Sequence, residues 1–165
     1  MGNPTHILSV DPGLSGALCL ISLADRSIQL HDMPVKDGQV DGVQLAAIVD
    51  LLKCQGDIVA VVERVGSLPR QAGAFNFGRS VGVVHGVFDA LGIHYELVAP
   101  SQWKGACGLH RGPTEKPEAV KTRARELAQK LWPAQAGLFS RVKDDGRAES
   151  ALLGRHYATK KGWLL

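Results

Sequence analysis

Two apolar segments of this sequence each end in a carboxylate, and they constrain the fold more than any other feature. The segment HILSVD (6–11) ends at Asp11 and turns at once through Pro-Gly, and the segment DIVAVVE (57–63) ends at Glu63. Apolar runs of this kind are typical of buried strands in a mixed or parallel sheet. A charge at the end of a buried strand is costly unless it has a partner. If the two strands are neighbours, their carboxylates meet at one edge of the sheet.

The order of the other elements predicts an α/β fold in one domain that spans 1–165. A hairpin turn at DRS joins two further strands, so that three strands form an antiparallel meander, and helices and strands alternate after it. We expect a mixed sheet with helices on both faces. The predicted strands are 6–11, 16–24, 27–33, 57–63 and 94–100, the segment 34–42 is predicted as a loop, and the predicted helices are 43–54, 74–92, a short one within 101–116, 117–132 and 145–161.

The charge distribution indicates a polyanion-binding surface. The 165-residue chain has a net charge of only +3, but the segment 104–130 carries seven basic and three acidic residues. Such a local excess of positive charge is typical of a face that contacts nucleic acid. Three cysteines without a C-x-x-C spacing indicate reduced thiols, and no apolar run approaches the roughly 18 residues of a membrane span. These features favour a cytoplasmic protein.

A second pair of acids extends the pattern at the strand ends. Asp145 and Glu149 stand four residues apart in the predicted last helix, which puts them on one helix face. If they join Asp11 and Glu63, the converging carboxylates repel one another strongly. They stay ionised together only with hard cations between them, and such oxygen ligands suit Mg²⁺ or Mn²⁺. The combination therefore indicates a divalent-metal site.

Each of these acids also has an ordinary structural interpretation. These are a turn former at Asp11, an arginine-paired strand end at Glu63, a helix cap at Asp145 and a solvated helix residue at Glu149. The segment DPGLSGA could also form the phosphate-binding hairpin of the actin and sugar-kinase superfamily, whose members are far longer than this chain. A serine or cysteine hydrolase has little support, because His85 and His94 lie in apolar surroundings typical of core histidines, and a zinc site has little support, because the histidines lack zinc spacing with the cysteines.

The sequence resembles the RuvC family of Holliday junction resolvases, a branch of the retroviral-integrase and RNase H superfamily. The likeness rests on ILSVDPGLSGAL for the first strand and hairpin, VVERV for the second catalytic strand and DDGRAESALLG for the closing acidic helix. APSQWKGACGL and TEKPEAVKTRA are similar to the basic region of the family. The resemblance implies an RNase H-like sheet. The departures from the family pattern are typical of phage or prophage members, which implies the cytoplasm of a bacterium or of a phage-infected cell.

The resemblance assigns catalysis and metal binding to Asp11, Glu63, Asp145 and Glu149. The implied ion is Mg²⁺, with Mn²⁺ as a substitute. The family often has Asp-x-x-Asp in its last helix, so Asp144 is an alternative to Asp145 in this sequence. The implied reaction is phosphodiester hydrolysis by two metal ions about 4 Å apart.

The resemblance also implies a DNA-binding surface. Lys104 and Lys116 align with functional lysines of the family, and Lys116 is expected to take part in catalysis. Bacterial members carry an aromatic residue shortly after the catalytic glutamate, whereas here Gly66 stands near that place and the first aromatic residues come later. The residues expected to contact DNA are Lys104, Lys116, Arg70, Arg79, Phe75 and Phe77.

The implied function is a crossover junction endonuclease of DNA recombination and repair that resolves four-way junctions by paired cuts. Two cuts favour a homodimer, and Gly78, Gly82 and Gly86 recur every four residues on a predicted helix face that another helix could approach. The alternative for that face is packing on the chain's own sheet. Two other functions remain open: a nuclease of broader DNA or RNA specificity, and a non-catalytic binding module. The acids favour a nuclease, because a polyanion binder gains nothing from clustered negative charge.

Overall fold

The computed structural model of the chain describes residues 4–64, 66 and 73–164, and its centre is a five-stranded mixed sheet. A separate two-stranded hairpin follows the third strand of the sheet. In chain order the strands are β1 His6–Asp11, β2 Ala17–Ser22, β3 Ile28–Asp32, β4 Val35–Lys36, β5 Gln39–Val40, β6 Ile58–Glu63 and β7 Tyr95–Val98, with β4 and β5 forming the hairpin.

Five α-helices within the described residues cover the sheet, and their ends differ from the predicted ones by no more than a few residues. Pro117 begins the fourth helix, as expected for proline at a first helical position. The helices are α1 Gly42–Lys53, α2 Ala74–Ala90, α3 Pro100–Ala106, α4 Pro117–Leu131 and α5 Asp145–Lys160, and short 3₁₀ segments at Pro133–Phe139 and Val142–Asp144 connect α4 to α5.

The strand order β3-β2-β1-β6-β7 places the two acid-ended strands side by side. Strands β1, β2 and β3 form the expected antiparallel meander, whereas β6 runs parallel to both β1 and β7. Val10 pairs with Val62 across the β1–β6 ladder. Asp11 and Glu63, the next residues of these parallel strands, therefore leave the sheet at the same edge.

The core has two parts, one on each face of the sheet. Alternation along β1 sends Leu8 and Val10 towards α1 and α2, and Ile7 towards α4 and α5. All three side chains are completely buried. The predicted α/β class, with a mixed sheet and helices on both faces, is confirmed. In the part of the chain that the structure describes, no helix is both long and apolar enough to cross a bilayer.

Helix α5 approaches the β1–β2 hairpin unusually closely. A Cβ atom on Gly146 would collide with the backbone carbonyl oxygen of Ser15, and one on Gly154 would collide with the hydroxyl of Ser9. Between these glycines, the carbonyl oxygen of Ser150 accepts a hydrogen bond of 2.7 Å from the Ser9 hydroxyl. Small residues at 146, 150 and 154 therefore let the backbone of α5 lie against the sheet.

The glycines of α2 behave differently from those of α5. Gly78, Gly82 and Gly86 are exposed, and among the described residues an added Cβ at any of them meets nothing within 4 Å. The alternative that this face packs on the chain's own sheet is therefore wrong for the described structure. The prediction of a loop over 34–42 is wrong at β4 and β5, because Asp37 and Gly38 both adopt positive φ and close a tight hairpin turn.

Candidate active site

Asp11 lies at the end of β1, where the Pro-Gly turn holds its carboxylate. Its Oδ1 accepts a hydrogen bond of 3.2 Å from the backbone N–H of Gly13. Burial, followed by the negative charge of Glu149, raises the pKa of Asp11 to about 6 from its ordinary value of 3.8. The hydrogen bonds and positive charges around Asp11 therefore offset only part of the cost of burying its ionised carboxylate.

Glu63 lies beside Asp11 at the end of the parallel strand β6. Its Oε1 accepts a hydrogen bond of 2.9 Å from the indole Nε1 of Trp103, a side chain of α3 that is completely buried. Burial, and then the charge of Asp11, raise the pKa of Glu63 to about 7, although the Trp103 hydrogen bond opposes that shift. Asp11 and Glu63 are thus close enough to repel each other.

Glu149 is the third carboxylate at this edge, and α5 carries it there. Its charge raises the pKa of both Asp11 and Glu63. Its Oε2 lies 3.0 Å from the Nζ of Lys104, whose ammonium group also lies 5.0 Å from the centre of the Trp103 ring. Lys104 therefore neutralises part of the negative charge that the three acids bring together.

Asp145 lies near these three carboxylates but is turned towards helix α4. One carboxylate oxygen forms an ion pair with the guanidinium of Arg125, and the other lies 3.3 Å from the Nζ of Lys121. The charge of Lys121 in turn lowers the pKa of Asp11. Lys121 therefore links Asp145 to the edge where Asp11, Glu63 and Glu149 meet.

Asp144, the alternative to Asp145, belongs to a separate ion-pair network. Its side chain is 1% exposed, and it accepts hydrogen bonds from the Arg141 guanidinium at 2.7 Å and from the Arg141 backbone N–H at 2.8 Å. The neighbouring Arg147 donates to Asp32 at the end of β3. These arginines hold the pKa of Asp144 below its usual range, against the effect of burial.

The donor chemistry of Asp11, Glu63 and Glu149 fits a hard divalent cation. Ionised carboxylates only accept hydrogen bonds and are the oxygen ligands that hard cations take, and the raised pKa values of Asp11 and Glu63 show that these two lack enough nearby positive charge. Among residues 4–64, 66 and 73–164, no three acid, imidazole or thiol groups are positioned to hold an ion as they stand. Glu63 and Glu149 are each turned towards a donor of α3, so binding an ion requires those two side chains to rotate.

The other predicted residues surround this edge at different distances. Lys116 precedes α4, is exposed and makes no ion pair with any described residue. The ring of Phe77 lies against the turn after Asp11, since a Cβ on Gly13 would be 3.7 Å from its Cε2 and 3.6 Å from Asp11 Oδ1. The remaining predicted DNA contacts are Phe75, which is 82% exposed, Arg79, which is exposed beside the β4–β5 hairpin, and Arg70, which lies outside the described residues.

Three residues near the acids were not predicted to act there. Lys121 and Arg125 stand four residues apart on α4, next to its buried stripe of Val120 and Ala124, so the helical period could have identified them as facing α5. Trp103 is completely buried, and its hydrogen bond to Glu63 depends on a contact between parts of the chain 40 residues apart. No local sequence pattern encodes such a contact.

Solved structures share this fold over nearly the whole chain. RuvC of T. thermophilus in complex with a Holliday junction substrate superposes with a TM-score of 0.62 at 14% identity, covering 96% of this chain and 97% of that chain. The Thermus thermophilus RuvC structure superposes with a TM-score of 0.61 at 16% identity, covering 95% of this chain and 96% of that chain. The fowlpox virus Holliday junction resolvase superposes with a TM-score of 0.58 at 18% identity, covering 94% of this chain and 99% of that chain. No protein-family model and no curated protein matches the sequence. The chain therefore has the RNase H-like fold of these resolvases.

Proposed function

We propose that this chain is a divalent-metal-dependent endonuclease that cleaves branched DNA and resolves four-way junctions. The observation that carries the proposal is the convergence of Asp11, Glu63 and Glu149 at one edge of the sheet, where burial and mutual repulsion raise the pKa of the first two. Perturbed carboxylates gathered at one place are typical of catalytic or metal sites. The shared fold supports the DNA substrate, since T. thermophilus RuvC and the fowlpox virus resolvase have both been solved with junction DNA.

The metal would be Mg²⁺, with Mn²⁺ as a substitute, held by Asp11, Glu63 and Glu149. When bound, such an ion lowers the pKa of a water molecule and stabilises the charge that develops on the leaving oxygen. The Gly13 N–H holds the Asp11 carboxylate in place, whereas the Glu63 carboxylate would have to turn away from the Trp103 indole to reach the ion.

Lys104 has a second role in this proposal. Its ammonium group pairs with Glu149 at 3.0 Å. With Glu149 as a metal ligand, Lys104 would lose that partner and would be available to a phosphate oxygen of the substrate. A fixed positive charge at that place stabilises the additional negative charge of the pentacoordinate phosphate. Lys121 and the exposed Lys116 extend the positive surface along α4.

We assign the two aromatic residues at the start of α2 to DNA contact. The ring of Phe77 lies beside the Asp11 turn, and Phe75, two residues earlier in the first turn of α2, exposes 82% of its surface. Aromatic side chains close to positive residues are suited to stacking on unpaired bases. Arg79, one turn further along α2, would contact the phosphate backbone.

Resolution of a junction needs two cuts, so we propose a homodimer with one site in each subunit. The exposed glycine face of α2, formed by Gly78, Gly82 and Gly86, is the interface that supports this proposal, because two helices can approach closely there. Light scattering should give about twice the 17.6 kDa chain mass. Gly82→Arg should shift the mass to that of the monomer, and Gln44→Arg, an exposed position on α1, should not. A wild-type monomer would contradict the paired-cut mechanism.

The function is tested with purified protein on three substrates: a four-way DNA junction, a linear DNA duplex of the same sequence and an RNA/DNA hybrid. We expect cleavage of the junction, dependence on Mg²⁺ and little cleavage of the duplex. Preferred cleavage of the hybrid or of linear DNA would replace junction resolution with a broader nuclease. Binding to all three without cleavage in Mg²⁺ or Mn²⁺ would leave only a binding module.

A further inference from the structure

A cavity of about 350 Å³ opens between α3, α4 and α5, directly beside the carboxylates. Its buried lining is apolar: Leu109 is 4% exposed and Val120 is 9% exposed, with Pro100 and Pro117 completing the wall. Cavities that take small organic groups have volumes of about 300–1,000 Å³ and are mostly apolar with a few polar groups. A phosphate group alone needs no such apolar cavity.

Positive side chains surround the mouth of this cavity. Lys104, Arg111 and Lys121 line it, and Glu149 marks the side that adjoins the active site. The ammonium group of Lys104 lies 3.0 Å from Glu149 and that of Lys121 lies 3.3 Å from Asp145, so a phosphate near the acids also lies near the cavity. The group that enters the cavity is therefore expected to be attached to a phosphate.

The wall formed by the loop after α3 is held in place. The backbone N–H of Leu109 donates to the backbone carbonyl oxygen of Lys104 at 2.8 Å, and Arg123 donates to the carbonyl oxygen of His110 at 2.9 Å. The ring of His110 lies over Gly105, where an added Cβ would be 3.0 Å from His110 Cε1. The absence of a side chain at 105 leaves room for the imidazole, which, with the Ser101 hydroxyl, supplies polar groups to the cavity.

We infer that this cavity accepts one unstacked nucleobase of the substrate strand, from a nucleotide next to the scissile phosphate. The inference rests on the proposed function and adds a base-binding site to it. A nucleobase has flat apolar faces, which match Leu109 and Val120, and polar edges, which match His110 and Ser101. Its phosphate would stay at the mouth, with Lys104 and Lys121. Unstacking costs least where a base is already poorly stacked, as it is at the branch point of a junction.

The first test combines a variant whose cavity is filled by a larger side chain with junction substrates that lack a single base. Ser101→Leu adds apolar volume to an exposed helix position that lines the cavity, and Ala106→Leu is the control on an exposed position of the same helix outside it. Four-way junctions are made with a single abasic nucleotide at each position around the cut site. For the wild type and the control, we expect one abasic position to lower kcat/KM by about tenfold. For Ser101→Leu, the same position should have little further effect, because the cavity is already closed.

An equal decrease in kcat/KM at every abasic position, in the wild type and in both variants, would overturn the inference while leaving junction cleavage established. A second measurement does not depend on cleavage. NMR titration with a deoxynucleoside monophosphate should shift the backbone amides of Leu109 and His110 in the wild type and in Ala106→Leu, but not in Ser101→Leu. Deoxyribose 5-phosphate, which lacks the base, should not shift them. If both ligands give the same shifts, the cavity does not recognise a base. If the protein cleaves no branched DNA, the proposed function fails and this titration alone decides the inference.

Discussion

Glu149, Asp145 and Asp144 have different surroundings, and these indicate different roles for the three acids. Glu149 acts electrostatically on Asp11 and Glu63 and is paired with a single partly exposed lysine. Asp145 is held between Arg125 and Lys121, and Asp144 is buried under Arg141. Glu149 thus has the least to lose by turning towards a cation, whereas Asp144 would have to abandon a structural network.

Substitution of these three acids should therefore give three different results. Glu149→Gln should lower the rate of junction cleavage by at least about 100-fold, because Glu149 is one of the three proposed metal ligands. Asp145→Asn should have a smaller effect on the rate, through the position of Lys121. Asp144→Asn should lower the free energy of unfolding by about 1–3 kcal/mol, since it weakens buried charge-assisted hydrogen bonds.

Single-turnover rates and urea unfolding separate these effects on catalysis and stability. Each variant is compared with Asp50→Asn, an exposed acid of α1, which should change neither quantity. A series in which only Asp144 is essential for cleavage, with Glu149→Gln at the wild-type rate, would contradict the arrangement of the acids described above.

Lys104 and Lys116 should differ in the quantity that their removal changes. Lys104→Ala should reduce turnover of prebound substrate by about 10²–10³-fold, because a charge beside the reacting phosphate is lost. Lys116→Ala should mainly weaken DNA binding and reduce the salt dependence of log Kd by about one unit, as expected for one exposed phosphate contact. Salt-dependent affinity and single-turnover rates measure both. If Lys116→Ala lowers turnover as much as Lys104→Ala does, Lys116 also acts in catalysis, as the family resemblance implies.

Sequence spacing predicted which acids come close to one another better than it predicted their partners. Asp11 and Glu63 could be placed because each ends a strand and parallel neighbours end at the same edge. Asp144 and Asp145 are adjacent, so a helical repeat cannot distinguish them. The two residues receive different arginine partners only when the 3₁₀ turn at Val142–Asp144 meets α5.

Helix α5 is the element that brings the third acid to the edge of the sheet. Its small residues at 146, 150 and 154 let it lie against β1 and β2, and this position carries Glu149 to Asp11. The sequence contains these residues at a spacing of four, the same pattern that predicted a packing face on α2. An exposed stripe of glycines and a buried one have the same spacing in the sequence. Only the structure therefore shows that α5 makes the close contact.

A methyl group added to each stripe should show the difference. Gly154→Ala should lower the free energy of unfolding by about 1–3 kcal/mol, since the new Cβ collides with Ser9 in a packed interface. Gly86→Ala, the matched change on α2, should raise it by up to about 1 kcal/mol, because alanine favours helix and the site is open. Chemical denaturation of both variants provides the measurement. Equal stability of the two would contradict the close packing of α5.

The clustered carboxylates also affect the stability of the whole molecule. Burial and repulsion raise the pKa of Asp11 to about 6 and of Glu63 to about 7, from 3.8 and 4.5. Between about pH 4 and pH 7 the folded chain therefore holds more protons at these groups than the unfolded chain does. The contribution of the pair to the free energy of unfolding consequently falls as pH rises through this window, by about 1.4 kcal/mol per pH unit for each retained proton.

The double variant Asp11→Asn, Glu63→Gln isolates this contribution, because its amides do not titrate. Without metal, its stability relative to the wild type should increase from pH 4 to pH 7 and then level off. Added Mg²⁺ or Mn²⁺ should stabilise the wild type at pH 8 and leave the double variant unchanged. Thermal unfolding across this pH range measures both effects. A difference between the two proteins that is constant with pH would contradict the raised pKa values of Asp11 and Glu63.

We propose that carboxylates at the edge of the sheet support metal-dependent cleavage of a four-way junction. This is tested by comparing the wild type with Asp11→Asn on a mobile junction labelled on each strand, with and without Mg²⁺. The wild type should produce paired, symmetric nicks that require the metal. Asp11→Asn should cleave at least about 100-fold more slowly, while its junction affinity stays within a few-fold or tightens, because one negative charge no longer faces the polyanion. Cleavage by Asp11→Asn at the wild-type rate in Mg²⁺ would contradict the assignment of the active site.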